Sequence, residues 1–334
     1  MSIYSDIYGQ KNLIEHFKKS VREDKISGAY IISGEKLSGK KMLAKRFATS
    51  IQCENPVDGE ACMECHACRM SLSNNNPDIK YVVPSKEGKA VSVDDIREQV
   101  NGDIDIKPYY CKKKIYIIDN AQELNQQSQN ALLKTIEEPP SYGVVILLTS
   151  NEGALLQTIL SRGVKLSTRA VPKDEIKNYL MEHAQIPDYA AEGYALYANG
   201  NLGKAIEMSK TDDYDRLKDL VIRLFSDENA NMAQGEKIIA DIADIKDNLD
   251  DFFDICLMWM RDVLALKSGC AKERLIFKGD YDKIKNCAGR CSYIGIDQII
   301  KSVDEAKAQL ELNVRFEMVF RAFLMTVRNN MKYL

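Results

Sequence analysis

The chain has 334 residues, enough for two or three domains with cores of their own. Its 45% hydrophobic and 28% charged residues are those of an ordinary soluble globular protein, and a formal net charge of −3 excludes a protein held on nucleic acid mainly by bulk positive charge. No apolar run approaches the ~20 residues needed to cross a bilayer, and the opening residues MSIYSDIYGQ lack the basic and apolar regions of an export signal, so a cytoplasmic location with no membrane partner is expected.

Residues 10–23 space Leu13, Ile14, Phe17 and Val21 along one helical face. The β-branched pair Ile31-Ile32 marks a strand over 29–33. It runs into Gly34-Glu35-Lys36-Leu37-Ser38-Gly39-Lys40-Lys41, and a helix over 40–51 follows. Strand, glycine-bearing loop and helix in that order are the context of a phosphate-binding P-loop. Gly34 and Gly39 would let backbone N–H groups turn inward, and Lys40 would reach the phosphates. The residue that normally follows this lysine is Ser or Thr, whose hydroxyl ligates Mg²⁺; here it is Lys41, whose ammonium would repel the ion.

A cysteine-rich insertion occupies 53–68, with Cys53, Cys62, Cys65 and Cys68 at C-x₈-C-x₂-C-x₂-C spacing. Each C-x₂-C pair can chelate one ion from a tight turn, and four thiolates close a tetrahedral structural zinc site with no open position. A disulfide framework does not suit a cytoplasmic chain. His66 is read as a bystander, His16 and His183 as ordinary helix residues, and the other five cysteines as scattered structural residues.

Beyond a polar turn at 73–78, Ile79–Val83 reads as a strand and Val93–Val100 as a helix capped by Ser92. The run Lys112-Lys113-Lys114 reads as a solvated turn. The apolar stretch 114–118 ending in Asp119 reads as a strand buried on both faces of a parallel sheet. An aspartate in that position is where P-loop NTPases keep their magnesium-associated carboxylate. The glutamate that normally follows and polarises the attacking water is replaced by Asn120, which cannot act as a base. A helix over 126–137 and a strand over 144–149 extend the alternation to about residue 168, giving a three-layer α/β domain. Helices alone follow, at 172–183, 189–198 and 201–209. Longer helical patterns then carry Phe252, Cys256, Trp259, Met260 and Val263, and Ile300, Val303, Ala306 and Leu310, continuing to Val327.

Several of these segments together resemble the bacterial DNA polymerase III clamp-loader subunits of the AAA+ class, most closely their delta-prime branch. They are Ile7-Tyr8-Gly9-Gln10, the altered P-loop, the four-cysteine insertion, Ile117-Ile118-Asp119, the run from Asn130 to Pro140, Leu148-Thr149-Ser150-Asn151 and Thr158-Ile159-Leu160-Ser161-Arg162. Gly200-Asn201-Leu202-Gly203-Lys204-Ala205 continues the likeness, which fades to a weak match around 310–324.

The resemblance implies an AAA+ P-loop domain over 1–168 with a zinc module at 53–68, a small helical lid domain over 169–210 and an all-α collar domain over 211–334. It implies gamma/tau and delta subunits as partners in a hetero-pentameric ring that loads a sliding clamp onto primed DNA in the nucleoid-associated replisome. It gives Arg162 as an arginine finger acting in trans, although the family's Ser-Arg-Cys motif is here Ser161-Arg162-Gly163. It also puts Gly203 where ATPase members carry a sensor arginine. Together with Lys41 and Asn120, this points to a stator without ATPase activity of its own, inside a DNA-directed DNA polymerase (nucleotidyltransferase) holoenzyme. Gly34, Gly39, Lys40 and Asp119 would remain a degenerate nucleotide site, with ATP binding left open. Two alternatives are an ATP-hydrolysing gamma/tau-type motor and a stand-alone zinc protein that binds nucleic acid; the acidic balance and the absence of basic patches interleaved with aromatics speak against the second.

Overall fold

A computed structural model describes residues 2–86, 88–210, 213–226, 232–245 and 249–331. Its contacts divide the chain into two compact units, Met1–Ile176 with Gly200–Lys204, and Lys177–Asn199 with Ala205–Leu334.

The first unit is built on five parallel strands, β1 (Ala29–Ser33), β2 (Ile79–Val82), β3 (Lys114–Ile118), β4 (Gly143–Thr149) and β5 (Val164–Ser167), in the order β2-β3-β4-β1-β5. Every residue of β1, β3 and β4 is buried, the pattern of strands covered on both faces. Alternate side chains serve two cores. On one face Tyr30, Ile32, Ile117 and Ile146 pack with α1 (Lys11–Arg22) and α2 (Lys40–Gln52) through Leu13, Phe17, Leu43 and Phe47, where Phe17 and Phe47 stack with ring centroids 4.0 Å apart. On the other, Ile31, Tyr116, Ile118 and Leu147 meet Ile96, Val100, Leu132 and Ile136. Helices on both faces of a parallel sheet are the three-layer arrangement expected from the sequence. The edge strand β5, which the sequence pattern does not separate, is four residues long and only half-covered.

Between the strands, α3 (His66–Leu72) closes the cysteine-rich insertion. Ser92 and Asp95 form a reciprocal cap at the start of α4 (Val93–Ile96), which continues through a π-helical turn at Arg97–Asn101 into α5 (Gly102–Ile104). α6 (Gln126–Glu137) occupies the range read from sequence, its Asn125 accepting from the Ser128 N–H. A short α7 (Gln157–Leu160) precedes β5.

The second unit is helical. It takes most of α8 (Lys173–His183) and α10 (Leu202–Ser209), with α9 (Asp188–Tyr197), α11 (Asp213–Leu224), α12 (Met232–Ala243), α13 (Leu249–Lys267), α14 (Tyr281–Arg290), α15 (Tyr293–Glu311) and α16 (Phe316–Asn330). The stripe read from sequence is core: Phe252, Cys256, Trp259, Met260 and Val263 are buried, and Phe253 stacks on Phe320 at 5.5 Å. The single long pattern expected to run from 300 to 327 is instead two helices. Asn313 takes a left-handed conformation at φ 59° and donates its N–H to Leu310, ending α15 before α16 begins. Both helices bury their apolar faces in one core, so the periodicity passes through the break unmarked.

The lysine run also departs from expectation. Lys114 is only 4% exposed, and its ammonium donates to the carbonyls of Asp103 and Ile106 and pairs with the Asp103 carboxylate at 2.9 Å. Lys80 at 2.7 Å and the Tyr116 hydroxyl at 2.7 Å complete the cluster. Burial alone would raise the Asp103 carboxyl, but the hydrogen bonds from Lys80, Lys114 and Tyr116 outweigh it and hold it below the ordinary aspartate value. Asp103→Asn would leave the Lys114 ammonium buried without its counter-charge, and denaturant unfolding should show a loss of about 3 kcal/mol at neutral pH. Because the folded carboxyl titrates below the unfolded one, the natural chain keeps this contribution above about pH 4 and loses it as pH falls through the folded value. The difference between natural and Asn chains should therefore shrink in acid; an unchanged difference at low pH would contradict the assignment.

Candidate nucleotide and metal sites

The carboxyl ends of parallel strands are where such sheets bind ligands. Here β1 delivers the loop from Gly34 to Gly39, β3 delivers Asp119 and β4 delivers Ser150. Together they line a cleft of about 580 Å³ with Lys36, Lys40, Lys41, Asn120 and Gln122. Gly39 caps α2 at φ 82°, a left-handed conformation costly for other residues, and so turns the first helical N–H groups toward the cleft. The sequence-derived residues Gly34, Gly39, Lys40 and Asp119 thus fall around one loop and one strand end.

The Lys40 ammonium donates to the carbonyl oxygens of Gly34 at 2.8 Å and Glu35 at 2.6 Å. Burial pushes it below the ordinary lysine range, with Asp119 and Glu35 working in the opposite direction. Lys41, at the position of the missing hydroxyl, brings its ammonium to 3.4 Å from the Asp119 carboxylate and 5.8 Å from the centre of the Tyr81 ring. The group that would help hold a magnesium ion is therefore occupied by a cation of the chain. These residues do not fit Mg²⁺: one hard oxygen ligand is replaced by a positive charge, and the remaining carboxylate already has a partner. Asn120 sits at φ 50°, its side-chain oxygen accepting from Gln122 at 3.4 Å; Gln122 in turn accepts from the Ser150 N–H at 3.1 Å.

Two residues named in the sequence only through the resemblance turn out to touch the loop directly. Asn201, 5% exposed, donates from its amide to the Lys36 carbonyl at 2.8 Å and to Glu35 at 3.2 Å, pinning the loop from outside. Gly203 lies so close that any β-carbon there would overlap the Leu37 carbonyl oxygen. Leu37 itself takes φ 66°. A side chain at 203 is sterically barred, so this position cannot carry an arginine without moving the loop. The sequence signal was only the short Asn-x-Gly spacing, which says nothing of where the glycine lies.

Arg162 stands just past α7, 40% exposed. It donates to the Thr158 carbonyl at 3.0 Å and pairs with Glu137, itself 40% exposed, at 3.1 Å. Such a pair is worth under about 1 kcal/mol, so the guanidinium can leave it.

The four cysteines of the insertion converge, with all four sulfurs within 4.8 Å of one another. Zinc–sulfur bonds of about 2.3 Å in a tetrahedron require sulfurs about 3.8 Å apart, so the donor set fits one zinc ion. Backbone N–H groups of Cys62, Cys65 and Cys68 donate to the sulfurs of Cys53, Cys62 and Cys65 at 3.2, 3.3 and 3.4 Å, which favours the thiolate form. N–H groups of Cys65 and Glu64 bring the Cys62 thiol down to about 7, whereas burial pushes Cys53 and Cys68 up. The buried pair needs a cation to be held ionised. The insertion is tied to α1 by Lys18–Glu60 at 2.5 Å and Arg22–Asp58 at 2.7 Å. His66 is not among the converging ligands; its ring packs on Tyr110.

Residues 9–171 match the family model described as DNA polymerase III, delta subunit. A Bacillus subtilis protein named DNA polymerase III subunit delta' is 28% identical over 322 residues, spanning 92% of this chain and 93% of its own length. The tau subunit of B. subtilis is 25% identical over 94% of this chain and 60% of its own, and a Mycoplasma genitalium gamma/tau subunit is 32% identical over 70% and 37%. Matched by the family model through the sheet-bearing unit and by a delta' relative along nearly its whole length, the chain is similar to subunits of the DNA polymerase III clamp-loader family.

Proposed function

We propose that this chain is a delta'-type stator: a non-hydrolysing AAA+ subunit that helps a clamp-loader ring with gamma/tau and delta partners place a sliding clamp on primed DNA. In this reading residues 169–210 form its lid and 211–334 its collar, and it lends Arg162 to a neighbouring ATPase site. The observation that carries it is the 3.4 Å pairing of Lys41 with Asp119. A single ammonium stands where a hydroxyl and a divalent cation would act together. It neutralises the carboxylate without offering an electrophile to a phosphate, and Asn120 supplies no base. The steric bar at Gly203 supports the same reading, since it removes a third component of a motor's site. The half-exposed Arg162, held only by a weak ion pair, suits a group that acts on a neighbour. The four converging thiols are read as a structural zinc site.

The first test is ATP turnover by the purified chain with Mg²⁺. No turnover above the protein-free background is expected, and magnesium-dependent hydrolysis abolished by Lys40→Ala would overturn the stator reading. In a ring reconstituted with the ATPase subunits, Arg162→Ala should slow the neighbour's hydrolysis about 10³-fold while leaving assembly intact, because a trans arginine stabilises charge on the transferring phosphoryl group. An unchanged rate would remove the finger from the proposal.

One zinc per chain should co-purify. Stripping it with a chelator, or Cys62→Ser, should lower the thermal midpoint by roughly 5–10 °C, as structural zinc contributes directly to folding. Metal-free protein with an unaltered midpoint after chelation would exclude the metal.

A further inference from the structure

The loop 105–113, between α5 and β3, presents more aromatic surface than the sequence pattern reveals. Its backbone is fixed from below by Asp78, a residue only 1% exposed, whose carboxylate accepts the consecutive N–H groups of Tyr109, Tyr110 and Cys111 at 2.6, 2.8 and 2.9 Å. With the main chain anchored in this way, the two tyrosine rings are left facing solvent. Tyr109 is 77% and Tyr110 62% exposed. They stand edge to face with centroids 4.8 Å apart, and the exposed His66 ring of the cysteine module meets Tyr110 at 5.5 Å, making a row of three rings from two distant segments. Lys107 and Lys112 flank the tyrosines and are exposed, whereas the Lys113 ammonium is engaged with the Ser141 carbonyl. Asp105 is the only acidic residue of the loop.

We propose that this loop is a binding site for single-stranded nucleic acid, whose bases stack on Tyr109 and Tyr110 while its phosphates pair with Lys107 and Lys112. Exposed rings interleaved with cations are the chemistry that unpaired strands require: every base has a π-face, and each phosphate brings a negative charge. A rigid backbone removes the ordering cost that a mobile loop would pay on binding. A protein partner suits the patch less well, because lysine is depleted at protein–protein interfaces. Duplex nucleic acid keeps its bases stacked on each other and offers the rings nothing.

Fluorescence anisotropy of a labelled oligothymidylate with the full chain tests this, with a duplex as comparison and a salt titration. The natural chain should bind the single strand more tightly than the duplex at low salt. Tyr109→Ala/Tyr110→Ala should weaken binding at least about 30-fold with the salt dependence unchanged, since stacking is not ionic. Lys107→Gln/Lys112→Gln should reduce the slope of log affinity against log salt by about 1.4. Unaltered zinc content and circular dichroism would show that both variants keep the fold. No binding by the natural chain, or equal binding by the tyrosine variant, would overturn the proposal. So would a tyrosine variant that still binds the strand but no longer associates with the other polymerase subunits, which would make the patch a protein contact.

Discussion

A parallel sheet covered on both faces confines polar chemistry to its two ends, and much of the first unit follows from that constraint. The side chains of β1, β3 and β4 are all buried, so nothing ionic can project from the middle of the sheet without a partner. Lys114, at the entry of β3, shows the cost: it is tolerated because two carbonyls and the Asp103 carboxylate receive its ammonium. At the carboxyl ends the strands release a glycine-bearing loop, an aspartate and a serine into one cleft. At the opposite end of β3 lies the loop carrying the exposed tyrosines. The same architecture thus offers two chemically distinct ends.

At the carboxyl end, the pairing of Lys41 with Asp119 replaces one electrostatic solution by another. A divalent ion bridging hydroxyl, carboxylate and phosphate can leave and return with the ligand. An ammonium tethered to α2 stays beside the carboxylate whether or not a ligand is bound, although an exposed pair of this kind is worth under about 1 kcal/mol. With Asn201 donating to the loop carbonyl at Lys36 and the backbone of Gly203 against Leu37, the loop is held from both sides. Such bracing restricts the freedom by which a P-loop could track the state of its phosphates.

Much of this was legible in the sequence where the signal was local. The helix at 126–137 was readable because Glu138-Pro139-Pro140 stops it, whereas its Asn125 cap emerged only in the structure. The buried strands were readable because uninterrupted β-branched runs have few other uses. The cysteine spacing specified a convergence that depends on turns within one short insertion. What escaped was long-range. Nothing near Lys114 indicates that Asp103 will reach it, and nothing near Gly203 indicates that Leu37 will press against it. The break at Asn313 was hidden because both flanking helices face one core and share its periodicity. Tyr109 and Tyr110 between Lys107 and Lys112 are a basic patch interleaved with aromatics, contrary to the absence read from the sequence, and only the fold shows that they are exposed and joined by the His66 ring.

That last juxtaposition gives the cysteine module a role beyond stapling an insertion. Cys65 caps α3, its sulfur accepting the Cys68 N–H, and His66 is the first residue of that helix. Any ion that fixes the four sulfurs fixes the start of α3, and with it the ring that abuts Tyr110. On the other side, Cys111 of the tyrosine loop receives a hydrogen bond from Asn76, whose amide also binds Ser71 near the end of α3. The loop is thereby held by Asp78 beneath its backbone and by the module along its flank. A zinc ion held by four thiolates would have no open coordination position and no reaction to perform, but it would hold the geometry of an adjoining surface, and the aromatic row is the surface these cysteines adjoin.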